Sequence, residues 1–228
     1  MDASKRFKHT LKREGTVKLN LASIRNVYCV GRNYALHAAE LGNQKPSNPM
    51  FFSKPTHSLV KADGRTLSLP GDRGLIHYET EFVIHLARPY VEGLPIEQIV
   101  DSFAIGIDFT LRDEQEQLKS KGYPWLVAKG FRNAAVLSTF FPFDSIDACR
   151  DKEFSLHKNG VQVQVGCIRD MIFDLRTLLR SCSQQLGLDA GDIIYTGTPS
   201  GVGEIADGDQ LHLFWDQKNI GDVRITLS

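Results

Sequence analysis

The sequence predicts an α+β fold dominated by strands, built as a single mixed-β domain. Three observations lead there. Apolar runs of strand length recur along the chain. Segments with a helical period are few and short. The two kinds of segment alternate too irregularly for a doubly wound parallel sheet. At 228 residues the chain can bury one substantial core.

The elements follow in order. Residues 1–24 read as an N-terminal extension and 25–228 as the domain proper. The extension is basic, with Lys5, Arg6, Lys8, Lys12 and Arg13 against Asp2 and Glu14, and it lacks an apolar face, so a frayed or edge-lying start is expected. Val27 to Val30 is a short buried strand ending at Gly31. Asn33 is placed to cap a helix over Tyr34 to Leu41, which Gly42 would terminate. The polar, proline-punctuated stretch Asn43 to Pro49 is a loop, expected to be mobile. Met50 to Phe52 and Leu67 to Leu69 are short strands around an Asp63-Gly64 turn. Leu75 to Leu86 and Phe103 to Thr110 are apolar strands, separated by a loop (Arg88 to Gly93) and a short helix near Ile96 to Val100. Thr110 to Lys121 suits a polar helix. Leu156 to Val165, centred on Asn159-Gly160, is a hairpin. Phe173 to Leu186 is an amphipathic helix whose apolar face is Leu175, Leu178, Leu179, Cys182 and Leu186. Asp192 to Thr196, Gln210 to Trp215 and Asp222 to Thr226 close the chain as strands.

Lys plus Arg and Asp plus Glu each number 27, so the chain carries no net charge. That argues against a nucleic-acid partner, which needs a basic footprint. No run of about 18 apolar residues and no signal-peptide core is visible, so no membrane partner is expected and the protein reads as cytoplasmic. Cys29, Cys149, Cys167 and Cys182 are far apart with no C-x-x-C, which fits buried thiols in a reducing compartment.

The most informative stretch is His77-Tyr78-Glu79-Thr80-Glu81. On a strand, residues two apart share a face, so Glu79 and Glu81 stand side by side with His77 and His85 bracketing them. Carboxylates that close repel unless a cation or a shared proton intervenes. Asp108, at the end of the next apolar run, adds a third acid. Three convergent oxygen donors suit Mg²⁺ or Mn²⁺, although an E-x-E alone is more often a solvated strand face. His37 and Glu40 lie three apart on the predicted helix, so a carboxylate can orient an imidazole as a general base beside a loop able to close over a site. Alone, the pair equally suits a helix surface. Thr196 to Gly203 is glycine-rich but lacks a Gly-Lys-Ser/Thr ending, so it suits backbone N–H groups and the Thr198 hydroxyl presented to a small carboxylate. Lys54 and Lys129 sit in apolar surroundings unusual for lysine.

Taken in order, Cys29-Val30-Gly31-Arg32-Asn33-Tyr34, Phe52-Ser53-Lys54-Pro55, His77 to Glu81, Asp108 to Asp113, Pro124-Trp125 with Ala128-Lys129, Met171-Ile172-Phe173 and Thr196 to Gly203 resemble the fumarylacetoacetate hydrolase family over roughly residues 25 to 228. The length and the His37/Glu40 pair look most like the short acylpyruvase and oxaloacetate decarboxylase branch. The resemblance implies a mixed β-roll, usually a homodimer, with Glu79, Glu81 and Asp108 as metal ligands and His77 nearby but not coordinating. It implies His37 and Glu40 as a water-activating lid dyad and Lys129 as a group stabilising developing negative charge. Arg32, Lys54, Arg112, Gln115 and Thr198 are implied to bind substrate. The implied activity is metal-dependent carbon–carbon cleavage of an acylpyruvate such as acetylpyruvate or fumarylpyruvate, with oxaloacetate decarboxylation through the same enolate. The rival in the same fold is an isomerase or tautomerase of an unsaturated 2-oxo or 2-hydroxy dicarboxylate, and a catalytically silent metal protein is the rival of another class. Arg132 to Ala135 and Gly166 to Asp170 depart from the family pattern and are expected to bear on the substrate pocket.

Overall fold

A computed structural model describes residues 15–40 and 45–228, so the basic start and the predicted helix end at Leu41 and Gly42 lie outside the described residues. The chain opens with β1 (Val27–Gly31), α1 (Ala35–Glu40), β2 (Met50–Lys54), β3 (Leu59–Lys61), β4 (Asp63–Leu69), β5 (Ile76–Tyr78) and β6 (Thr80–Leu86). Next come β7 (Val100–Asp108), β8 (Thr110–Leu111), α2 (Arg112–Ser120), α3 (Leu126–Lys129), β9 (Ala135–Leu137), β10 (Phe141–Pro142) and α4 (Ile146–Arg150). The hairpin β11 (Glu153–Lys158) and β12 (Val161–Cys167) precedes α5 (Leu175–Leu186), β13 (Ile193–Tyr195), β14 (Gly203–Glu204), β15 (Gln210–Trp215) and β16 (Lys218–Leu227). The strand-dominated α+β architecture expected from the sequence is what forms. Among the described residues, no helix is long and apolar enough to cross a membrane.

Eight strands form the main sheet in the order β2-β1-β13-β6-β7-β9-β3, with β10 also on β7. A second sheet runs β12-β11-β15-β16-β4, and a third, small one β14-β5-β8. Pairing is mixed, parallel for β1/β13, β3/β9 and β4/β16 and antiparallel elsewhere. The large core, with Phe82, Ile84, Phe103, Phe154 and Leu178, fills the space between sheets and α5. On the opposite face of the main sheet Val83, Cys29, Ile193 and Tyr195 form a smaller cluster, covered by Val17, Leu19 and Leu21. Residues 17–24 thus pack onto the domain, and Val17 bridges to Phe140.

Several elements differ from the sequence reading, each for a local reason. Asn33 does not cap α1. Its side chain donates to Phe173 O and Thr196 O and accepts from Phe173 N–H, fastening β1 to two distant segments. Asp63-Gly64 is not a hairpin turn but the point where the chain leaves the main sheet (β3) for the second (β4). The helix expected near Ile96 to Val100 is one 3₁₀ turn, Ile96–Gln98, because Val100 already pairs in β7. Thr110 and Leu111 pair with β5, so α2 starts only at Arg112. α5 starts behind Asp174, whose side chain accepts Thr177 N–H at 2.8 Å, and Leu186 at its far end is exposed rather than part of the apolar face.

Glu81 pairs with Gly106 across β6 and β7. A Cβ on Gly106 would lie 2.5 Å from the Tyr195 ring, 2.8 Å from Val136 O and 2.9 Å from Val83 Cγ2. Gly106→Ala should therefore destabilise the fold by at least about 1–3 kcal/mol. The urea unfolding midpoint reads this directly, and an unchanged midpoint would show that the sheet yields there.

Candidate active site

The run from Leu75 to Leu86 is not one strand. β5 belongs to the small sheet and β6 to the main one, and the chain changes sheet at Glu79. The break is held in place by hydrogen bonds: Glu79 O accepts Asp108 N–H at 2.8 Å, and Thr80 N–H goes to the Gln164 side chain at 2.8 Å. Glu79 and Glu81 still face the same way, and the end of β7 brings Asp108 to them. One carboxylate oxygen from each of the three lies within 4.8 Å of the others, and all three residues are buried. Burial rules out a solvated strand face. His77 stands beside Arg112, with its imidazole pKa lowered by burial and by that guanidinium, outside the acid cluster. His85 shares the face of Glu81 but pairs with Asp101 at 2.7 Å.

Cations surround the acids unevenly. Lys129, on α3, donates to Glu79 (2.7 Å), Asp108 (2.8 Å) and Thr110 Oγ1 (2.6 Å). Burial opposes its charge, but Asp108 and Glu79 outweigh burial and raise the Lys129 pKa. Arg112 reaches Glu79 Oε1 at 2.5 Å and Gln115 at 2.7 Å. Burial likewise works against the Glu79 charge, yet Lys129 and Arg112 hold that carboxyl well below the usual range. Glu81 differs. Among the described residues its hydrogen-bond partner is the Gly197 N–H at 2.6 Å, not a cation. Burial, then Asp108 and Glu79, push its pKa well above the ordinary carboxylate value. Asp108 Oδ1 lies 2.6 Å from Lys54 Nζ, an ion-pair distance, but receives no aligned hydrogen bond. An uncompensated buried carboxylate and an orphaned carboxylate oxygen, all hard donors, fit a hard divalent cation at this point.

A cavity of about 50 Å³ opens over Glu79 and Glu81. His37, Arg32, Arg112, Gln115, Lys129 and Thr198, all expected from the sequence, line it. Glu40 stands behind His37, with a carboxylate oxygen 3.2 Å from Nδ1 and accepting Gly201 N–H at 3.1 Å. Arg32 enters at the end of β1 with φ of 59°, left-handed for a non-glycine residue. Lys54 is placed differently from expectation. It lies behind Asp108, off the cavity wall, and donates to the carbonyls of Phe109, Lys129 and Ala134. Its ammonium balances Asp108 and ties the acid cluster down from behind. Thr198 faces the cavity, but its hydroxyl proton goes to Thr80 O at 2.8 Å. Neither Arg132 to Ala135 nor Gly166 to Asp170 lines the cavity. Lys119, which does, was missed by the sequence reading. It follows Arg112 and Gln115 at i+7 and i+4 along α2, a helical spacing that could have revealed it.

The family model described as fumarylacetoacetate (FAA) hydrolase C-terminal matches residues 26–228. The chain belongs to this family. It is 38% identical over 189 residues to the mitochondrial oxaloacetate decarboxylase of Dictyostelium discoideum, covering 81% of this chain and 85% of that protein. It is 35% identical over 196 residues to the oxaloacetate tautomerase YcgM of Escherichia coli (strain K12), covering 85% and 89%. Among solved structures, fumarylpyruvate hydrolase from Pseudomonas aeruginosa in complex with Mn²⁺ and pyruvate superposes with a TM-score of 0.83 at 32% identity, covering 90% of this chain and 91% of that one. The family is one of enzymes; these two curated relatives are a decarboxylase and a tautomerase, while the family description and the structural neighbour name hydrolases.

Lys54 and Asp108 are both fully buried at the side chain. Lys54→Met should cost about 3–5 kcal/mol by stranding that charge together with three carbonyls. Chemical denaturation measures the loss, and a neutral outcome would mean that Lys129 alone balances Asp108.

Proposed function

We propose that this protein is a divalent-metal-dependent enzyme that moves a proton at carbon 3 of oxaloacetate, interconverting its keto and enol forms. Glu79, Glu81 and Asp108 would hold the ion, Mg²⁺ or Mn²⁺. When bound, that ion supplies a Lewis acid beside a 2-oxo carbonyl.

The observation that carries this reading is the composition of the cavity. His37 stands over the acid cluster with Nδ1 engaged by Glu40, which leaves Nε2 as the proton-transfer atom. Glu40 fixes the tautomer and stabilises the imidazolium once His37 has taken a proton. Arg32, Arg112 and Lys119 line the same small space, Arg112 paired with Glu79 and Lys119 with Glu116, and these cations suit a dicarboxylate. Lys129 lines the same cavity with its three N–H groups held by Glu79, Asp108 and Thr110, so it would favour a developing enolate through its charge alone. The names of the curated relatives support the same substrate.

Hydrolysis of acylpyruvates is the second reading, favoured by the likeness to a fumarylpyruvate hydrolase. There the same His37 would take its proton from water. Oxaloacetate decarboxylation is a third outcome of the same enolate chemistry.

The assays separate these. Enol absorbance of oxaloacetate and pyruvate release from oxaloacetate, acetylpyruvate and fumarylpyruvate are followed with Mg²⁺, with Mn²⁺ and with EDTA. Metal-dependent acceleration of enol–keto conversion without pyruvate is expected. Pyruvate from an acylpyruvate would establish the hydrolase instead, and no turnover of any of them would sink both. His37→Ala should keep Mn²⁺ binding and lower turnover by about 10²–10⁴-fold. Full activity in that variant would remove His37 from the mechanism.

A further inference from the structure

Gln164 lies on β12, in the second sheet, and is only 2% exposed. Its side chain nevertheless ends among residues of the candidate active site. Oε1 accepts Thr80 N–H at 2.8 Å, while Nε2 donates to Thr198 Oγ1 at 2.9 Å and to Pro199 O at 3.0 Å. The Thr198 hydroxyl donates onward to Thr80 O at 2.8 Å. The bonds close a ring that runs from the Thr80 amide through the Gln164 amide and the Thr198 hydroxyl to the Thr80 carbonyl. A side chain that accepts at one atom and donates twice at its neighbour must be a primary amide, and both N–H bonds are used.

Thr80 is the residue between Glu79 and Glu81, at the point where the chain changes sheet. Its N–H has no strand partner there, and without Gln164 it would be a buried, unpaired donor. The loop at the other end of the ring carries Gly197, whose N–H holds Glu81, and Gly201, whose N–H holds Glu40. We infer that Gln164 is a positioning residue, fixing the spacing of Glu79 and Glu81 and joining them rigidly to the loop that orients the His37/Glu40 pair. Repulsion between the acids would otherwise relax through the break at Glu79. The inference rests on the metal reading given under the proposed function. It adds a residue that touches neither ion nor substrate.

The test is Mn²⁺ affinity of the full chain, read by calorimetry or electron paramagnetic resonance, alongside melting temperature and turnover. Gln164→Leu keeps the apolar stem and removes all three bonds. Partners one layer out from a metal site typically change affinity by about 10–100-fold, and a loss of that order is expected, with lower turnover at saturating Mn²⁺. Val223→Ala, on β16 away from the cavity, supplies a variant of reduced melting temperature and should bind Mn²⁺ as wild type does. Thr198→Val opens the ring at the hydroxyl alone and should show a smaller loss of the same sign, which decides the matter if Gln164→Leu does not fold. Wild-type Mn²⁺ affinity in either folded ring variant would overturn the inference, as would an equal loss in Val223→Ala. A wild-type protein that binds no Mn²⁺ would instead overturn the metal reading itself.

Discussion

Glu79, Glu81 and Asp108 bring three buried carboxylates within 4.8 Å of one another. At their mutual separations each pair repels by about 3–4 kcal/mol even at an effective dielectric near 20. The surrounding architecture offsets this repulsion. Lys54 comes from β2, Lys129 from α3 and Arg112 from the first turn of α2, so a strand and two helices converge to supply positive charge. The offset is incomplete at Glu81. There the protein contributes a backbone N–H and no cation, and this is where a divalent ion has most to give.

The division of labour follows from what each element can hold. Strands in the main sheet carry acids rigidly, since β6 and β7 are buried along nearly their whole length. The cations arrive on short helices that lie against the open end of that sheet. Lys54 is the exception, a buried lysine whose ammonium gathers three carbonyls as well as Asp108. It ties β2 to the segments following β8 and α3, and so holds the cation-bearing helix α3 against the acid-bearing strand.

Much of this was legible in the sequence. Apolar runs marked β1, β6, β7 and β15, because burial of alternate or continuous faces is written locally, and the Asn159-Gly160 turn marked the hairpin. The Glu79/Glu81 and His37/Glu40 pairs were legible because each keeps a common side in the fold, even though Glu79 sits at the break before β6. The rest depends on contacts between distant segments. The break at Glu79 is made by Gln164 and Asp108, 85 and 29 positions further on, and no window around Glu79 contains them. The elements α3, α4 and β10 are too short to carry a period. His85 matched the face rule for Glu81 and still belongs to a separate pair with Asp101, since a shared face does not fix a partner.

The glycine-rich loop turns part of its backbone inward. Its composition suggested backbone N–H groups offered to a substrate carboxylate. Two of those groups do hold carboxylates, but they are the protein's own: Gly197 holds Glu81 and Gly201 holds Glu40. Gly201 cannot be replaced easily there, with φ of 95° and a Cβ that would sit 2.3 Å from Val163 O. The close approach of backbone to β12 that excludes a side chain also brings the loop within reach of Gln164. One loop therefore touches a candidate metal ligand, the orienting partner of the candidate base and the second sheet. Displacing any of the three shifts the other two, so the acid cluster and the proton-transfer pair are positioned as a unit.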